Sequence, residues 1–539
     1  MGHEFDRRGL LGLGLVGGAL ALLPGGASAA LPMRGFTHSV ASGDPAAESV
    51  LLWTRYVGAG SAPRPVRVEV AAEPGFGRIV ARAEGVADPA ADWCVRVRAE
   101  GLTPGKWYFY RFVGPDGTRS ETGRTRTLPV GRTSRFNVAV FSCSNIGFGY
   151  FNAYGHAAKR NDIDLVVHVG DYFYEYAHGR YPDAGQGIPS RLAGPATEIV
   201  KLDDYRTRYA DYRRDPDLRA LHRRYPMISI WDDHEFANDA WKDGAENHQP
   251  DEGDWAARKA VARQAHDEWL PVAPRAYNRY DIGDLASMLV LDTRVEGRDK
   301  QLSIAPVVKG GREALIGFRD GAWSDPKRTL LGFEQEKWVA DNLKASTAAG
   351  TRWQFVAQQI VMGKITTPKQ AGDWLGPDSP PRAKAYMQAG LLAASVGLPM
   401  NLDSWGGYDP ARSRFLKSAQ EADANLVVVS GDSHNAWACD LAEGGKPAGV
   451  EFAGQGVTSP GFESALKADP GIVEAGVVGA NPELKWADLS RRGYLTVGFT
   501  PDAARAEWVF MKTILTPSLA TGPGHSATVR RGARRMTQI

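Results

Sequence analysis

Four apolar runs, each ending abruptly in acidic, thiol or imidazole groups, constrain this chain more than any other feature. Val138-Ala139-Val140-Phe141 runs into Ser142-Cys143-Ser144-Asn145. Leu165-Val166-Val167-His168-Val169 runs into Gly170-Asp171-Tyr172-Phe173-Tyr174. Ile228-Ser229-Ile230-Trp231 leads to Asp232-Asp233-His234-Glu235, and Leu426-Val427-Val428-Val429 to Ser430-Gly431-Asp432-Ser433-His434. Short Val- and Ile-rich runs with little polar alternation read as central strands covered on both faces. Similar runs recur at 136–141, 288–291 and 353–356, and segments of helical period lie at 255–270 and 333–343. The pattern predicts a layered α/β domain over residues 135–520. Ligands of open α/β sheets bind beyond the carboxyl ends of strands, so neighbouring strands would gather the four clusters in one place.

The residues before this domain have a different texture. Strand-like stretches at 50–55, 65–70, 93–98 and 106–111 are separated by Gly, Pro and Asp turns, with no helical pattern between them. They predict an all-β sandwich of immunoglobulin or fibronectin type over 34–130, with 131–134 as the linker out of it. Residues 494–499 and 506–511 flank a Pro-Asp turn and read as a hairpin. The polar, basic residues 521–539 are expected to form a frayed tail.

The N-terminus carries Arg7-Arg8 ahead of an apolar, Gly-rich run from Leu10 to Leu23, then a small-residue stretch ending Ala27-Ser28-Ala29. The run falls short of the ~20 residues needed to span a bilayer. The order is that of a twin-arginine signal peptide over residues 1–30, which implies a translocase partner and a periplasmic or secreted product. Three cysteines, Cys94, Cys143 and Cys439, permit at most one disulfide and leave a thiol that must be buried or metal-bound. Lys plus Arg (64) nearly balances Asp plus Glu (62), so no basic excess indicates a nucleic-acid partner.

Asp171, Asp233 and Asp432 brought together would repel one another unless a cation relieved them. Carboxylates suit hard ions such as calcium or magnesium. A thiolate, a phenolate and an imidazole suit a more Lewis-acidic transition ion. The mixture points to two unlike metals, an arrangement that can clamp the attacking and leaving oxygens of a phosphoryl transfer. Taken singly each cluster has an ordinary reading: Cys143 as a buried core thiol, His234 as a surface or hydrogen-bonded histidine.

The order Gly-Asp, Asp-His-Glu, Gly-Asp-x-His resembles the calcineurin-like metallophosphoesterases, with Ser142-Cys143-Ser144 in place of the opening Asp-x-His, Asp233 where Asn is usual and Asp432 where His is usual. That variant is similar to the alkaline phosphatase D family, as are the stretches from Phe36 to Pro45, from Leu51 to Arg55, from Trp231 to Trp241 and from Leu291 to Arg294. The resemblance covers essentially the whole mature chain. It implies a metallophosphoesterase core (a layered β-sandwich flanked by helices) behind the immunoglobulin-like domain, and a centre of Fe3+ and Ca2+. Cys143, Asp171, Tyr174 and His434 would hold iron, and Asp171 would bridge to calcium with Asp233 and Asp432. Gln359 and Asn238 are further candidates by position, and spacing leaves open whether Asp232 or Asp233 is the ligand.

The implied reaction is hydrolysis of a small phosphate mono- or diester by a metal-activated water, with His234 protonating or stabilising the leaving oxygen and Arg294 holding a phosphate oxygen. Second readings stand beside both roles: His234 as a group orienting a ligand, and Arg294 as a structural ion pair with Asp292 or another carboxylate. Two rival functions stand beside this one. One is a dedicated phosphodiesterase of phospholipase D or teichoic-acid type. The other is a binding protein whose α/β domain has lost activity.

Overall fold

The computed structural model describes residues 32–539 apart from 184, 274, 378 and 380. The signal peptide expected over residues 1–30 lies outside the described residues. Two large sheets carry the architecture. The first has ten strands in the order Met536–Gln538, His525–Arg530, Ala503–Phe510, Gly493–Phe499, Phe136–Phe141, Leu165–His168, Pro226–Ser229, Gly35–Gly43, Val50–Val57, Cys94–Ala99. The second has seven, in the order Asn278–Ile282, Ala286–Val290, Trp353–Ala357, Leu426–Ser430, Lys446–Ala453, Ala436–Glu443, Leu484–Asp488.

The sheets pack face to face. Val138, Val140, Val167 and Ile228 of the first share one core with Met288, Phe355, Val427 and Phe452 of the second. Each such side chain taken fully from water contributes about 1.5–3 kcal/mol, which is why these runs lack the polar alternation of a half-exposed strand. Helices cover the outer faces. Those at Asn152–Lys159, Leu202–Tyr212, Pro216–Arg224 and Trp255–Trp269 pack on the first sheet, and those at Phe333–Ala348 and Asp409–Glu421 on the second. The helix at Trp255–Trp269 starts where the Asp254 side chain accepts a hydrogen bond from the Ala257 N–H at 3.1 Å, a cap worth about 1 kcal/mol. The helix expected at 333–343 runs on to Ala348, because Lys344-Ala345-Ser346-Thr347 contains no breaker before Gly350.

One expectation is refined and one corrected. The N-terminal strands form two facing sheets, but one of them is continuous with the α/β region. Gly35–Gly43 pairs in parallel with Pro226–Ser229, through Ser42 opposite Pro226 and Gly43 opposite Met227, so the first sheet runs unbroken from the α/β region into the N-terminal region. A four-stranded sheet, in the order Ile79–Ala87, Arg64–Ala71, Trp107–Val113, Gly123–Arg126, closes over that end of it around Val40, Leu52, Val68, Val95 and Phe112. The tail expected to fray at 521–539 is instead ordered. His525–Arg530 pairs with Ala503–Phe510 and buries Ala527 and Val529, while His525 stacks on Trp486 with ring centroids 3.9 Å apart. Its polar residues alternate with apolar ones at a strand period, a pattern that composition alone hides.

Candidate metal centre

Register sets the site. In the first sheet Phe141 lies opposite His168, and His168 opposite Ser229, so three parallel strands end level with one another. The loops that follow carry Cys143, Asp171 and the Asp232-Asp233-His234-Glu235 cluster. In the second sheet the strands ending at Val290, Ala357, Ser430 and Ala453 are also parallel neighbours, and the loop after Ser430 carries Asp432 and His434. The clusters therefore come from both sheets, three from one and one from the other.

Two glycines let the loops meet. A Cβ on Gly170 would stand 2.4 Å from the Asp232 Cβ, and one on Gly431 would stand 2.5 Å from the Ser142 side chain. The first contact joins neighbouring strand ends, the second joins the two sheets. Cys143, Asp171, Asp432 and His434 all adopt left-handed backbone, with φ of 58°, 53°, 59° and 61°. Non-glycine residues enter this region at a cost of about 1–3 kcal/mol each, and such outliers gather at functional sites.

One donor from each of Cys143, Asp171 and His434 lies within 4.8 Å of the others. The same holds for Asp171, Asp233 and His234, and for Asp232, Asp233 and Asp432. Tyr174 joins the first group: its hydroxyl is 3.0 Å from Asp171 Oδ2 and 3.1 Å from His434 Nε2, and it accepts a hydrogen bond from Ser459 Oγ at 2.7 Å. His434 Nδ1 lies 2.8 Å from the Pro460 carbonyl. That contact fixes the ring and turns Nε2 toward Asp171, the orientation usual for a metal-binding imidazole.

The donor set fits cations. Asp171, Asp232, Asp233 and Asp432 are all buried, and Asp171 Oδ1 accepts no hydrogen bond. Burial, then the carboxylates of Asp233 and Asp232, push the Asp171 carboxyl well above its ordinary range. Burial and Asp171 push up both the Cys143 thiol and the Tyr174 phenol. Groups this reluctant to ionise alone are the ones a cation converts into ligands, because its charge reverses every one of these repulsions.

His234 lies at the edge of the centre. Its Nδ1 is 2.6 Å from Glu175 Oε2, and its ring centroid is 4.2 Å from that of Tyr174. His234 and Asn238 both line a cavity beside the centre. Asp232 and Asp233 both reach the centre. Asp232 is also tied to Arg294, whereas Asp233 Oδ2 accepts from the Asp239 N–H at 2.6 Å.

Arg294 and Gln359 sit elsewhere than expected. The Arg294 guanidinium is fully buried and binds Asp232, Asp403 (2.9 Å) and Asp432 (2.9 Å). It is the counter-charge of the acidic cluster and is not among the described residues that line the cavity, which favours the structural reading over the phosphate-holding one. Its partner is not Asp292, which accepts from the N–H groups of Arg294 and Val295. Gln359 uses both ends of its amide within the protein, accepting from Thr293 Oγ1 at 2.7 Å and donating to the Trp231 carbonyl at 2.8 Å.

Three positioning residues escaped the sequence reading. Glu235 accepts from the N–H groups of Asp171 (3.1 Å) and Asp232 (2.7 Å), locking two loops together. Its position three residues after Asp232 was a usable signal, the spacing of a side chain reaching back to a backbone N–H. Glu175, a single carboxylate in an aromatic run, was another. Asp403 lies in a loop with no such mark.

The sequence matches the family described as PhoD-like phosphatase over residues 138–508, and its N-terminal domain over residues 24–129. Alkaline phosphatase D of Bacillus subtilis (strain 168) is 34% identical over 510 residues, covering 90% of this chain and 79% of that protein. A solved structure described as "Structure of PhoD" superposes with a TM-score of 0.77 at 31% identity, covering 94% of this chain and 92% of that one. With motif order, fold and relatives in agreement, the chain belongs to the PhoD-like phosphatase family and is a phosphoric ester hydrolase.

Proposed function

We propose that this protein hydrolyses phosphate esters at a centre of two unlike metals held around Asp171, with the facing sheets as a metallophosphoesterase core behind an immunoglobulin-like domain. The observation that carries the reading is that Asp171 belongs to two donor groups, one with Cys143, His434 and the adjoining Tyr174 and one with Asp233 and His234, while Asp233 also belongs to an all-carboxylate group with Asp232 and Asp432. Cys143, Asp171, Tyr174 and His434 would hold Fe3+, and Asp171, Asp233 and Asp432 would hold Ca2+. Ions held there would supply neutralisation of phosphoryl charge and a lowered pKa for the attacking water.

The chain's own groups do the rest. Glu175 accepts from Nδ1–H of the His234 ring and supports its imidazolium form, whose Nε2 proton would pass to the departing alkoxide oxygen and leave the neutral ring. Glu235 and Arg294 keep the loops and carboxylates in register and leave the substrate to other groups. The twin arginine at Arg7-Arg8 supports export to the periplasm or medium through the twin-arginine translocase. No helix among the described residues is long and apolar enough to cross a membrane.

The test compares p-nitrophenyl phosphate with bis-p-nitrophenyl phosphate, before and after chelator treatment and with iron and calcium restored. The reading expects chelation to abolish hydrolysis of both and the two metals together to restore it. Restoration by calcium alone would remove the iron assignment. A strong preference for the bis ester would make the enzyme a dedicated phosphodiesterase.

A further inference from the structure

The centre adjoins a cavity of about 150 Å3. Asp171, His234, Asp432 and His434 form its polar end. The rest is mainly apolar, built by Ile365, Trp374, Met387, Trp437, Phe462 and Leu466, and it also includes the uncharged polar side chains of Thr367, Tyr386, Asn401 and Ser404. Separate segments supply these side chains. Met387 comes from the helix Pro381–Ala394, Trp374 from the turn Lys369–Trp374, and Phe462 and Leu466 from the chain just beyond the Ser459-Pro460 segment that touches Tyr174 and His434. No Lys or Arg is among the described residues that line the cavity.

This lining selects a ligand. A polyphosphate or other anionic chain needs cationic partners along its length, and no Lys or Arg supplies them here among the described lining residues. An apolar cavity of this size has room for about one benzene ring. We infer that the cavity is the subsite for the alcohol portion of the ester, and that the preferred substrates join one phosphate to an uncharged aryl or alkyl group. The inference rests on the phosphoesterase reading of the adjoining centre and specifies the substrate class of that same site.

The experiment is a competitive-inhibition series with non-hydrolysable phosphonates, using the metal-loaded enzyme and p-nitrophenyl phosphate as reporter. An alkyl arm runs methyl, propyl, pentyl, heptyl and nonyl, and an aryl arm compares phenyl- with methylphosphonate. Inorganic phosphate probes the metal end alone. Each methylene buried is worth about a fourfold gain in affinity. The inhibition constant should therefore fall about fourfold per carbon to roughly the pentyl compound and then level off as the cavity fills. Phenylphosphonate should match pentyl if the subsite takes rings, and lag it if only chains fit. Leu466→Asp should flatten the alkyl series while inorganic phosphate inhibits as before. Met387→Ser serves the same purpose if the first variant does not fold. A flat series in wild type, with inorganic phosphate still inhibiting, overturns the subsite and leaves the centre intact. Failure of inorganic phosphate to inhibit at all overturns the phosphoesterase reading beneath it.

Discussion

His234 Nδ1 lies 2.6 Å from Glu175 Oε2, and the same carboxylate accepts from the Asn238 N–H at 2.9 Å through its other oxygen. One buried side chain thus fixes both the ring beside the metal centre and the loop that follows it. Glu175→Gln should lower kcat by about 10–100-fold, the usual cost of losing an orienting partner. The loss should be larger for an alkyl phosphate than for p-nitrophenyl phosphate, because a poor leaving group depends more on a proton donor. Equal losses for the two substrates would remove His234 from leaving-group protonation.

Arg294 neutralises carboxylates from three loops. Removing one partner of a buried ionic network leaves uncompensated charge and costs about 3–5 kcal/mol. Arg294→Gln should lower the unfolding free energy of metal-free protein by that amount, measured by urea titration. A residue that held substrate phosphate would instead raise KM and leave the unfolding free energy near wild type.

Burial holds His168 at about 3, far below its ordinary 6.5. Its Nδ1 accepts from the Gly170 N–H, and its Nε2 lies 2.9 Å from the Tyr154 hydroxyl, so the folded protein keeps the ring neutral. The unfolded chain takes up a proton below pH 6.5 and the folded chain does not until about pH 3. The stabilisation is therefore complete above pH 6.5 and is lost as pH falls toward 3, at about 1.4 kcal/mol per pH unit. Unfolding free energies of wild type and His168→Gln between pH 7.5 and 5 should differ in slope by about that amount. Parallel slopes would show that the ring titrates normally in the fold.

Much of the site was legible because its residues follow unbroken apolar runs. The strand Phe136–Phe141 has the expected ends, and Leu165–His168 and Leu426–Ser430 lie within one residue of theirs. Sequence could not say which runs share a sheet, so the origin of Asp432 and His434 in the opposite sheet emerged only from the pairing. Arg294 was ambiguous for a physical reason. A guanidinium suits phosphate and carboxylate alike, and the choice depends on Asp403, a residue 109 positions away. The join between Gly35–Gly43 and Pro226–Ser229 is a parallel pairing across distant sequence, which local periodicity does not encode.

The central claim is that Asp171 anchors a metal centre on which phosphate ester hydrolysis depends. Metal content and p-nitrophenyl phosphate hydrolysis, measured side by side on purified wild type and Asp171→Ala, test it most directly. The account predicts more than one bound ion per wild-type chain, loss of metal in the variant, and a fall in rate of at least about a thousandfold, or ~4 kcal/mol of transition-state stabilisation. A folded Asp171→Ala protein with wild-type metal content and rate would contradict it.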